Sequence, residues 1–343
     1  MTTITQVQLM DLLATEYDMT ARSVVPLGAG NDADANSFLV STRDDARYLL
    51  RLRRGAAPEG ALRALAEIAS SGQPRLSAVV APLPSRPGDF AVPVGPHTAS
   101  LYPYVDGADA MKTGLSNGQW VELGAFVRAL HDFEPTREVR SLLPVESFVP
   151  AWTATVWRLD AWALGHPDGE VDGEVDTATA RFARFWRDRR GTIIDLLAAG
   201  ERAGRVIRER TPRLVVCHAD IHTANVLVPA AGPIRVVDWD GLLYAPPERD
   251  LMFVPDEHAA PFFRGYGPFD PDAQTIAYYR LEWAIQEIGD YGRRIVPPHG
   301  EVLEGRFRAA AFDEFIRLFD RDHEVEWAYE ALARAATADR ADR

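Results

Sequence analysis

The sequence predicts an α+β fold with two lobes: a small N-terminal lobe of sheet and helix over residues 1–105, and a larger, mainly helical C-terminal lobe over residues 106–343. Three observations predict this division. A chain of 343 residues is too long for one small core. Apolar residues in the first part recur with the short period of strands, between clusters of turn formers. In the second part they recur at the spacing of amphipathic helices.

The N-terminal lobe begins with a predicted helix over residues 4–16, where apolar side chains lie at helical spacing. A second helix is predicted over residues 58–70, and it separates two groups of short runs rich in β-branched and aromatic residues. Strands on both sides of a helix are typical of a small α+β lobe. The predicted strands are SVVPL, SFLVS and RYLLRLR before that helix, and AVVAPL, DFAVPV and ASLYPYV after it.

The C-terminal lobe is predicted to consist mainly of helices. Ser116 is a suitable N-cap for a helix that ends at His131, because the apolar residues between them share one face. The acidic stretch over residues 166–176 interrupts the helical pattern and is interpreted as a solvated loop. The other predicted helices cover about residues 146–163, 177–208, 272–291, 302–319 and 323–336.

Composition restricts the location and the partners of the chain. No run approaches the ~18 uncharged apolar residues of a membrane helix, and the N-terminus lacks the pattern of a signal peptide, so we predict a cytoplasmic protein. The single cysteine, Cys217, fits a reducing compartment. A net charge of −13 argues against nucleic acid and anionic membranes as partners and fits a cationic small molecule. Nothing in the sequence predicts a protein partner.

The segment between Leu214 and Tyr244 concentrates the polar residues that suggest chemistry. The runs NVLV and IRVVD, separated by PAAGP, predict a β-hairpin. Its open end would bring together Asn225, which begins the first strand, and Asp238, which ends the second. Asp220 lies on the loop that leads into this end, and His218 is expected to support the loop through hydrogen bonds.

This arrangement fits phosphoryl transfer. Such a reaction needs a carboxylate that accepts the proton of the attacking hydroxyl, here Asp220, and oxygen ligands for Mg²⁺, here Asn225 and Asp238. Two alternatives rank below it. A zinc or iron site in HADIH would leave the hairpin without a role. A phosphatase with its nucleophile in DWDG would require this strand early in the chain and a lysine after it, whereas the only lysine is Lys112.

Two motifs carry a resemblance to a known family. HADIHTAN and VVDWD resemble the catalytic loop and metal aspartate of the aminoglycoside phosphotransferases, small-molecule kinases with a two-lobed, protein-kinase-like fold. Further stretches are similar to the spectinomycin phosphotransferase branch, and the resemblance covers about residues 30 to 283. These stretches are GNDADANSFLV, LYPYVDG, QWVELGAFVRALH, APPERDLMFV, FFRGYG and AYYRLEW.

The resemblance implies a nucleotide site. Arg51 stands where the family has a lysine that holds phosphates, which predicts either a working arginine or weak or absent activity. Glu67 is the predicted helix partner of Arg51, with a surface pair to Arg63 as the alternative. The remaining predicted nucleotide contacts are Gly28 and Gly30 in a phosphate-covering turn and the backbone at Pro103 and Val105 along the adenine edge.

The resemblance also implies ATP or GTP as phosphate donor, Mg²⁺ as cofactor, and an aminoglycoside or aminocyclitol antibiotic as acceptor, with a role in antibiotic resistance. A kinase of sugars or other metabolites, and a non-catalytic nucleotide-binding relative, are the alternatives. Asp240 is predicted to contact the metal or the substrate, or to cap its turn. The other candidate substrate residues are Asp256, Glu257, Tyr278, Tyr279 and Glu282.

Overall fold

The computed structural model describes residues 4–27, 35–166, 170–171, 174–175, 177–296 and 305–341. It combines a small antiparallel sheet with a larger helical part, which confirms the predicted α+β class. The helices are α1 Gln6–Tyr17, α2 Glu59–Ser70, α3 Ala110–Thr113, α4 Asn117–His131, α5 Arg137–Leu142, α6 Thr153–Gly165, α7 Thr177–Arg210, α8 Glu248–Leu251, α9 Asp256–Tyr266, α10 Ala273–Ile295, α11 Gly305–Arg317 and α12 Glu324–Ala341. The strands are β1 Ala21–Pro26, β2 Ala35–Thr42, β3 Arg47–Arg54, β4 Val92–Val94, β5 His97–Pro103, β6 Gly107–Asp109, β7 Glu170–Val171, β8 Glu174–Val175, β9 Val215–Cys217, β10 Val226–Pro229, β11 Arg235–Val236 and β12 Leu243–Ala245.

The chain divides into two compact units. The first comprises Met1–Val145, Val215–Ala245 and Phe253–Phe269, and the second comprises Glu146–Leu214, Pro246–Met252 and Asp270–Arg343. The first unit thus combines the sheet with later segments of the chain, and the predicted lobe boundary at residue 105 stays a prediction. Among the described residues, no helix is both long enough and apolar enough to cross a membrane.

The sheet of the first unit has the strand order β1-β2-β3-β5-β4, and all neighbouring strands are antiparallel. Helix α1, which starts with a capping box between Thr5 and Gln8, packs on one face of this sheet. Side chains alternate along β3, so Leu50 and Leu52 are buried in the core with α1. Arg51 and its neighbours at odd positions therefore point toward the opposite face.

One predicted strand does not form a continuous ladder. Residues 78–83 follow a 3-10 helix at Pro74–Leu76 and contribute only single bridges, from Val79 to Val236 and from Leu83 to Leu101. Proline has no N–H to donate, and Pro82 lies inside this segment, which accounts for the interruption.

Two glycines bring α4 and α9 of the first unit into close contact. A Cβ on Gly124 of α4 would lie 2.0 Å from the carbonyl oxygen of Phe262, and one on Gly265 of α9 would lie 1.9 Å from the carbonyl oxygen of Val121. Only a residue without a side chain fits at such distances. Helix α4 also follows its predicted range, with a capping box between Ser116 and Gln119.

The second unit is mainly helical. Helices α6, α7, α10, α11 and α12 share a core that includes Trp186 and Phe315, both fully buried. Helix α6 begins later than predicted, at Thr153, after a segment that contains Pro144 and Pro150. Within the stretch predicted to be a solvated loop, β7 and β8 form a short antiparallel pair. The short helix α8 was not predicted from the sequence.

Candidate active site

The loop after β9 is held by His218. This side chain is fully buried, its Nε2 lies 3.0 Å from the carbonyl oxygen of Val237, and its Nδ1 accepts a hydrogen bond from the backbone N–H of Asp220 at 3.2 Å. The carbonyl must accept and the N–H must donate, so the ring is neutral with its proton on Nε2. Both nitrogens are thereby occupied, which supports the predicted supporting role of His218 and argues against a role as a metal ligand.

Asn225 fixes the carboxylate of Asp220. Its Nδ2 donates to the backbone oxygen of Asp220 at 2.8 Å and to Oδ2 of the same residue at 3.0 Å. His222 lies on the same side, with Nε2 3.5 Å from Oδ2. Within the described part of the chain, Oδ1 of Asp220 has no hydrogen bond, and the side chain is 39% exposed. One carboxylate oxygen is therefore held, and the other is available to a ligand.

The predicted hairpin is confirmed. Strands β10 and β11 pair antiparallel, with Val226 opposite Val236, and the N–H of Val237 donates to the carbonyl oxygen of Asn225 at 3.0 Å. Asn225 directly precedes β10 and Asp238 follows two residues after the end of β11, so the hairpin brings their backbones to the same end.

Two residues of the site have left-handed backbone conformations. The φ angle is 72° at Ala219 and 62° at Asp238. For residues other than glycine this region is sparsely populated and costs of order 1–3 kcal/mol. The surrounding contacts must therefore stabilise the backbone at both places, and Trp239 supplies one of them through a 3.0 Å hydrogen bond from Nε1 to the carbonyl oxygen of Val236.

Arg51 lies at the centre of a cluster of charges. Its Nη2 donates to Oδ2 of Asp240 at 2.7 Å, and its Nη1 contacts Oδ1 of Asp240 at 3.3 Å and Oδ1 of Asp238 at 3.2 Å. Arg53 also pairs with Asp240. Arg53 was not among the predicted site residues, although the alternation of RYLLRLRR places it on the same face of β3 as Arg51.

The predicted pair between Arg51 and Glu67 is replaced by another contact. The carboxylate of Glu67 accepts hydrogen bonds from the backbone N–H and the hydroxyl of Thr136, the N-cap of α5. The side of α2 that faces the cavity described below contributes Ala61, Leu62 and Leu65, which carry no charge. Glu67 is two residues beyond Leu65, or about 200° around the helix, and so points away from Arg51.

A cavity of about 300 Å³ in the first unit opens beside this cluster. Apolar side chains line most of it, and Arg51, Asp238 and Asp240 provide the charges. Pro103 and Val105 also line it, where the adenine edge was predicted. The volume is at the lower end for small-molecule and cofactor sites. The apolar lining residues are Leu27, Leu49, Pro58, Ala61, Leu62, Leu65, Val80, Leu227 and Val237.

Tyr102 is a cavity residue that the sequence did not single out. Burial raises the pKa of its phenol, and nearby Asp240 raises it further, so the side chain is a neutral hydroxyl in the wall. It belongs to β5, in register with Leu49 of β3. The alternation of β5 was the available signal, because Tyr102 shares a face with Ser100, the residue opposite Arg51.

The other predicted site residues lie in different environments. Gly28 and Gly30 lie outside the described residues. Asp256 and Glu257 are exposed in the first turn of α9, which the structure assigns to the first unit. Asp240, predicted to contact the metal or the substrate or to cap its turn, forms ion pairs with two arginines.

Three candidate substrate residues belong to the interior of the second unit. Tyr278 and Tyr279 have 0% exposure, and Tyr278 packs against Phe148. Glu282 is buried and forms an ion pair with Arg249. The predicted substrate contacts of these three residues are not supported, because their surface is already covered by protein.

A search against sequence models of protein families matches residues 23–285 to the phosphotransferase enzyme family. The chain belongs to this family. The match covers most of the chain and confirms the predicted resemblance and the predicted class of enzyme, a phosphotransferase. The site built from Asp220, Asn225 and Asp238 lies within the matched region.

The chain is also similar to individual proteins. Protein StrN of Streptomyces griseus is 29% identical over 229 residues, which are 64% of this chain and 66% of that protein. Among solved structures, spectinomycin phosphotransferase in complex with ADP and spectinomycin has a TM-score of 0.80 at 24% identity, covering 96% of this chain and 98% of that one. An amicoumacin kinase has a TM-score of 0.57 at 15% identity, covering 91% and 94%. These two structures show the shared fold.

Proposed function

We propose that this phosphotransferase moves the γ-phosphoryl group of a magnesium nucleotide to a hydroxyl group of an aminoglycoside or aminocyclitol antibiotic. The observation that carries the proposal is the pair formed by Asp220 and Asn225, next to the hairpin that ends in Asp238. It combines a carboxylate that has one free oxygen with two further oxygen-bearing side chains. Phosphoryl transfer requires these groups in this combination.

In the proposed reaction, Asp220 is the general base. Oδ2 is held by Asn225, so Oδ1 accepts the hydrogen bond of the acceptor hydroxyl and takes its proton as the oxygen attacks the γ-phosphorus. The bond from this phosphorus to the oxygen bridging the β-phosphate breaks, and the nucleoside diphosphate leaves. A catalytic base must be oriented as well as basic. The two hydrogen bonds from Asn225 supply that orientation.

The donor set fits Mg²⁺. Because Nδ2 of Asn225 points at Asp220, its amide oxygen remains for a metal, and Oδ2 of Asp238 has no hydrogen bond within the described residues. Both are hard oxygen donors of the kind that Mg²⁺ prefers, and His218 is not needed. When bound, Mg²⁺ would neutralise charge on the phosphates. Asn225 and Asp238 are the residues that would hold it.

The nucleotide is proposed to occupy the cavity beside Arg51. The apolar walls suit a base and ribose, and the charged end at Arg51 suits phosphates. Pro103 and Val105 are the proposed backbone contacts of the base, which leaves both ATP and GTP as donors. The nucleotide bound to the structurally similar spectinomycin phosphotransferase, ADP, supports this assignment.

The class of acceptor is supported by charge and by the named relatives. A chain with net charge −13 attracts cationic molecules, and these antibiotics carry ammonium groups. Structures with this fold include a spectinomycin phosphotransferase and a kinase in complex with gentamicin. Phosphorylation of such an antibiotic would give the chain a role in resistance.

The test is a screen for nucleotide consumption against aminoglycosides, aminocyclitols, nucleoside antibiotics and simple sugars. Mass spectrometry of each product must find one added phosphoryl group, and the Asp220→Asn variant serves as the control for contaminating kinases. We expect turnover with an aminoglycoside or aminocyclitol. Better turnover of a neutral sugar would favour a metabolite kinase. Nucleotide binding without transfer to any acceptor would favour a non-catalytic relative.

A further inference from the structure

We infer that Asp240 is a positioning residue that orients Arg51 for the phosphates of the nucleotide, in place of the helix carboxylate that the sequence predicted. The inference rests on the proposed function, since it assigns a role to a residue of the same site. It also gives a physical reason for an arginine, rather than a lysine, at position 51.

The geometry of the contact supports this role. Two nitrogens of the Arg51 guanidinium face the two oxygens of Asp240, at 2.7 Å and 3.3 Å. Such a fork of two parallel contacts fixes the plane of a guanidinium, whereas an ammonium group offers only a single point of charge. The side chains are only 18% and 29% exposed, so solvent screens the pair less than it screens a surface ion pair.

Helix α2 provides no carboxylate that could orient Arg51 in place of Asp240. Glu67 is bonded to Thr136, and the part of α2 that lines the cavity is apolar. Asp240 lies in the cavity wall together with Arg51. The carboxylate that fixes the phosphate-binding cation therefore comes from the segment after the hairpin, two residues beyond Asp238.

Arg53 completes the arrangement. It pairs with Asp240, as Arg51 does, so one carboxylate is shared by two guanidinium groups. This leaves Asp240 poorly suited as a magnesium ligand, because cations already face its oxygens. Asp238 has one contact to Arg51 and keeps an oxygen for metal. The two aspartates of DWD thus have different roles: Asp238 would bind the metal, and Asp240 orients Arg51.

The test is a double-mutant cycle on nucleotide binding. Calorimetric titration with a magnesium-bound, non-hydrolysable ATP analogue is applied to the parent, Asp240→Asn, Arg51→Ala and the double variant. We expect the single changes to weaken binding about 10-fold and about 100-fold. The double variant should bind like Arg51→Ala, within about 3-fold, if the effect of Asp240 on the nucleotide passes through Arg51.

The matched control is Asp45→Asn. Asp45, in the turn between β2 and β3, pairs with Arg22 of β1 at 2.7 Å, and both side chains are well exposed. Its left-handed backbone, with φ of 63°, tolerates asparagine. We expect nucleotide affinity within about 2-fold of the parent, because exposed ion pairs contribute little. Thermal unfolding of every variant shows whether Asp240→Asn is folded. If it is not, Asp240→Glu, which keeps the charge but moves the carboxylate, replaces it in the cycle.

Three results would overturn the inference. Additive losses in the double variant would show that Asp240 acts by a route other than Arg51, either through Arg53 or by its own contact to the ligand. If nucleotide binding needs more Mg²⁺ in Asp240→Asn than in the parent, and also more in the double variant than in Arg51→Ala, Asp240 is a metal ligand. A rise in acceptor KM with unchanged nucleotide affinity would make it a substrate residue. Failure of the parent to bind nucleotide would overturn the proposed function as well. Nucleotide binding with independent, additive effects of Asp240 and Arg51 would overturn this inference alone.

Discussion

Replacement of Asp220 by asparagine tests the proposed base directly. Asparagine has nearly the same shape, and its amide oxygen can still accept from Nδ2 of Asn225, as Oδ2 does at 3.0 Å. The backbone oxygen of residue 220 keeps its 2.8 Å hydrogen bond in the variant. The loop therefore retains its support, while the place of Oδ1 is taken by an NH₂ group that cannot accept a proton.

The size of the loss follows from these contacts. General-base catalysis contributes typically ~10²–10⁴-fold, or about 2.7 to 5.4 kcal/mol of transition-state stabilisation. Asp220 is 39% exposed, so a water molecule can reach the acceptor hydroxyl and replace part of the lost basicity. We therefore expect kcat to fall by roughly 10²–10³-fold, in the lower part of that range. Nucleotide affinity should change by less than about 3-fold, since the proposed ligand of Asp220 is the acceptor and not the nucleotide.

The assay measures product formation at saturating nucleotide and acceptor, with calorimetric nucleotide binding and thermal unfolding on the same samples. Asp11→Asn, on the exposed face of α1, is the control for the change in charge. If Asp220→Asn keeps kcat within about 3-fold of the parent, Asp220 is not the base. If nucleotide affinity falls tenfold together with kcat, the residue belongs to the nucleotide site and the assignment of the loop is wrong.

Four further predictions concern metal, phosphate, acceptor and packing. Asp238→Ala should abolish the Mg²⁺ dependence of nucleotide binding, seen by titration with and without metal; retained dependence would move the metal elsewhere. Arg51→Lys should lower kcat/KM for nucleotide about 10-fold, because lysine keeps the charge but not the fork, and parent-like kinetics would show that the fork is unimportant. The KM of a cationic acceptor should rise with ionic strength, whereas no dependence on salt would point to a neutral substrate. Gly124→Ala should destabilise the fold by about 3 kcal/mol, since the new Cβ would lie 2.0 Å from the carbonyl oxygen of Phe262. Gly118→Ala on the same helix should not, because its new Cβ would meet only Oγ of Ser116, at 3.9 Å; equal unfolding midpoints would refute the close contact.

Local patterns predicted the hairpin well. A hairpin depends on residues close together in the chain, so the strands NVLV and IRVVD determined how Asn225 and Asp238 approach each other. The helix from Ser116 to His131 likewise follows from its cap and its apolar face. Such features need no knowledge of distant contacts.

Features that depend on orientation between elements were predicted less well. The position of Glu67 within its helix was correct, but which side of α2 faces Arg51 depends on how the helix packs. The same reason explains Tyr278 and Glu282, which were predicted as candidate substrate contacts although they are buried. Asp240 was recognised as part of the site, yet its role depends on two arginines about 190 residues earlier in the chain, a separation that no local pattern describes.

The left-handed backbone at Asp238 is strained, and this strain lowers the stability of the folded protein. Glycine at 238 would adopt φ of 62° without strain, which is worth about 1 kcal/mol, and Arg51 would keep its contacts to Asp240. A library of variants selected only for thermal stability or expression should therefore lose this aspartate early, while one selected for turnover should retain it. Thermostability screening of this enzyme would thus enrich inactive proteins unless activity is assayed in the same round.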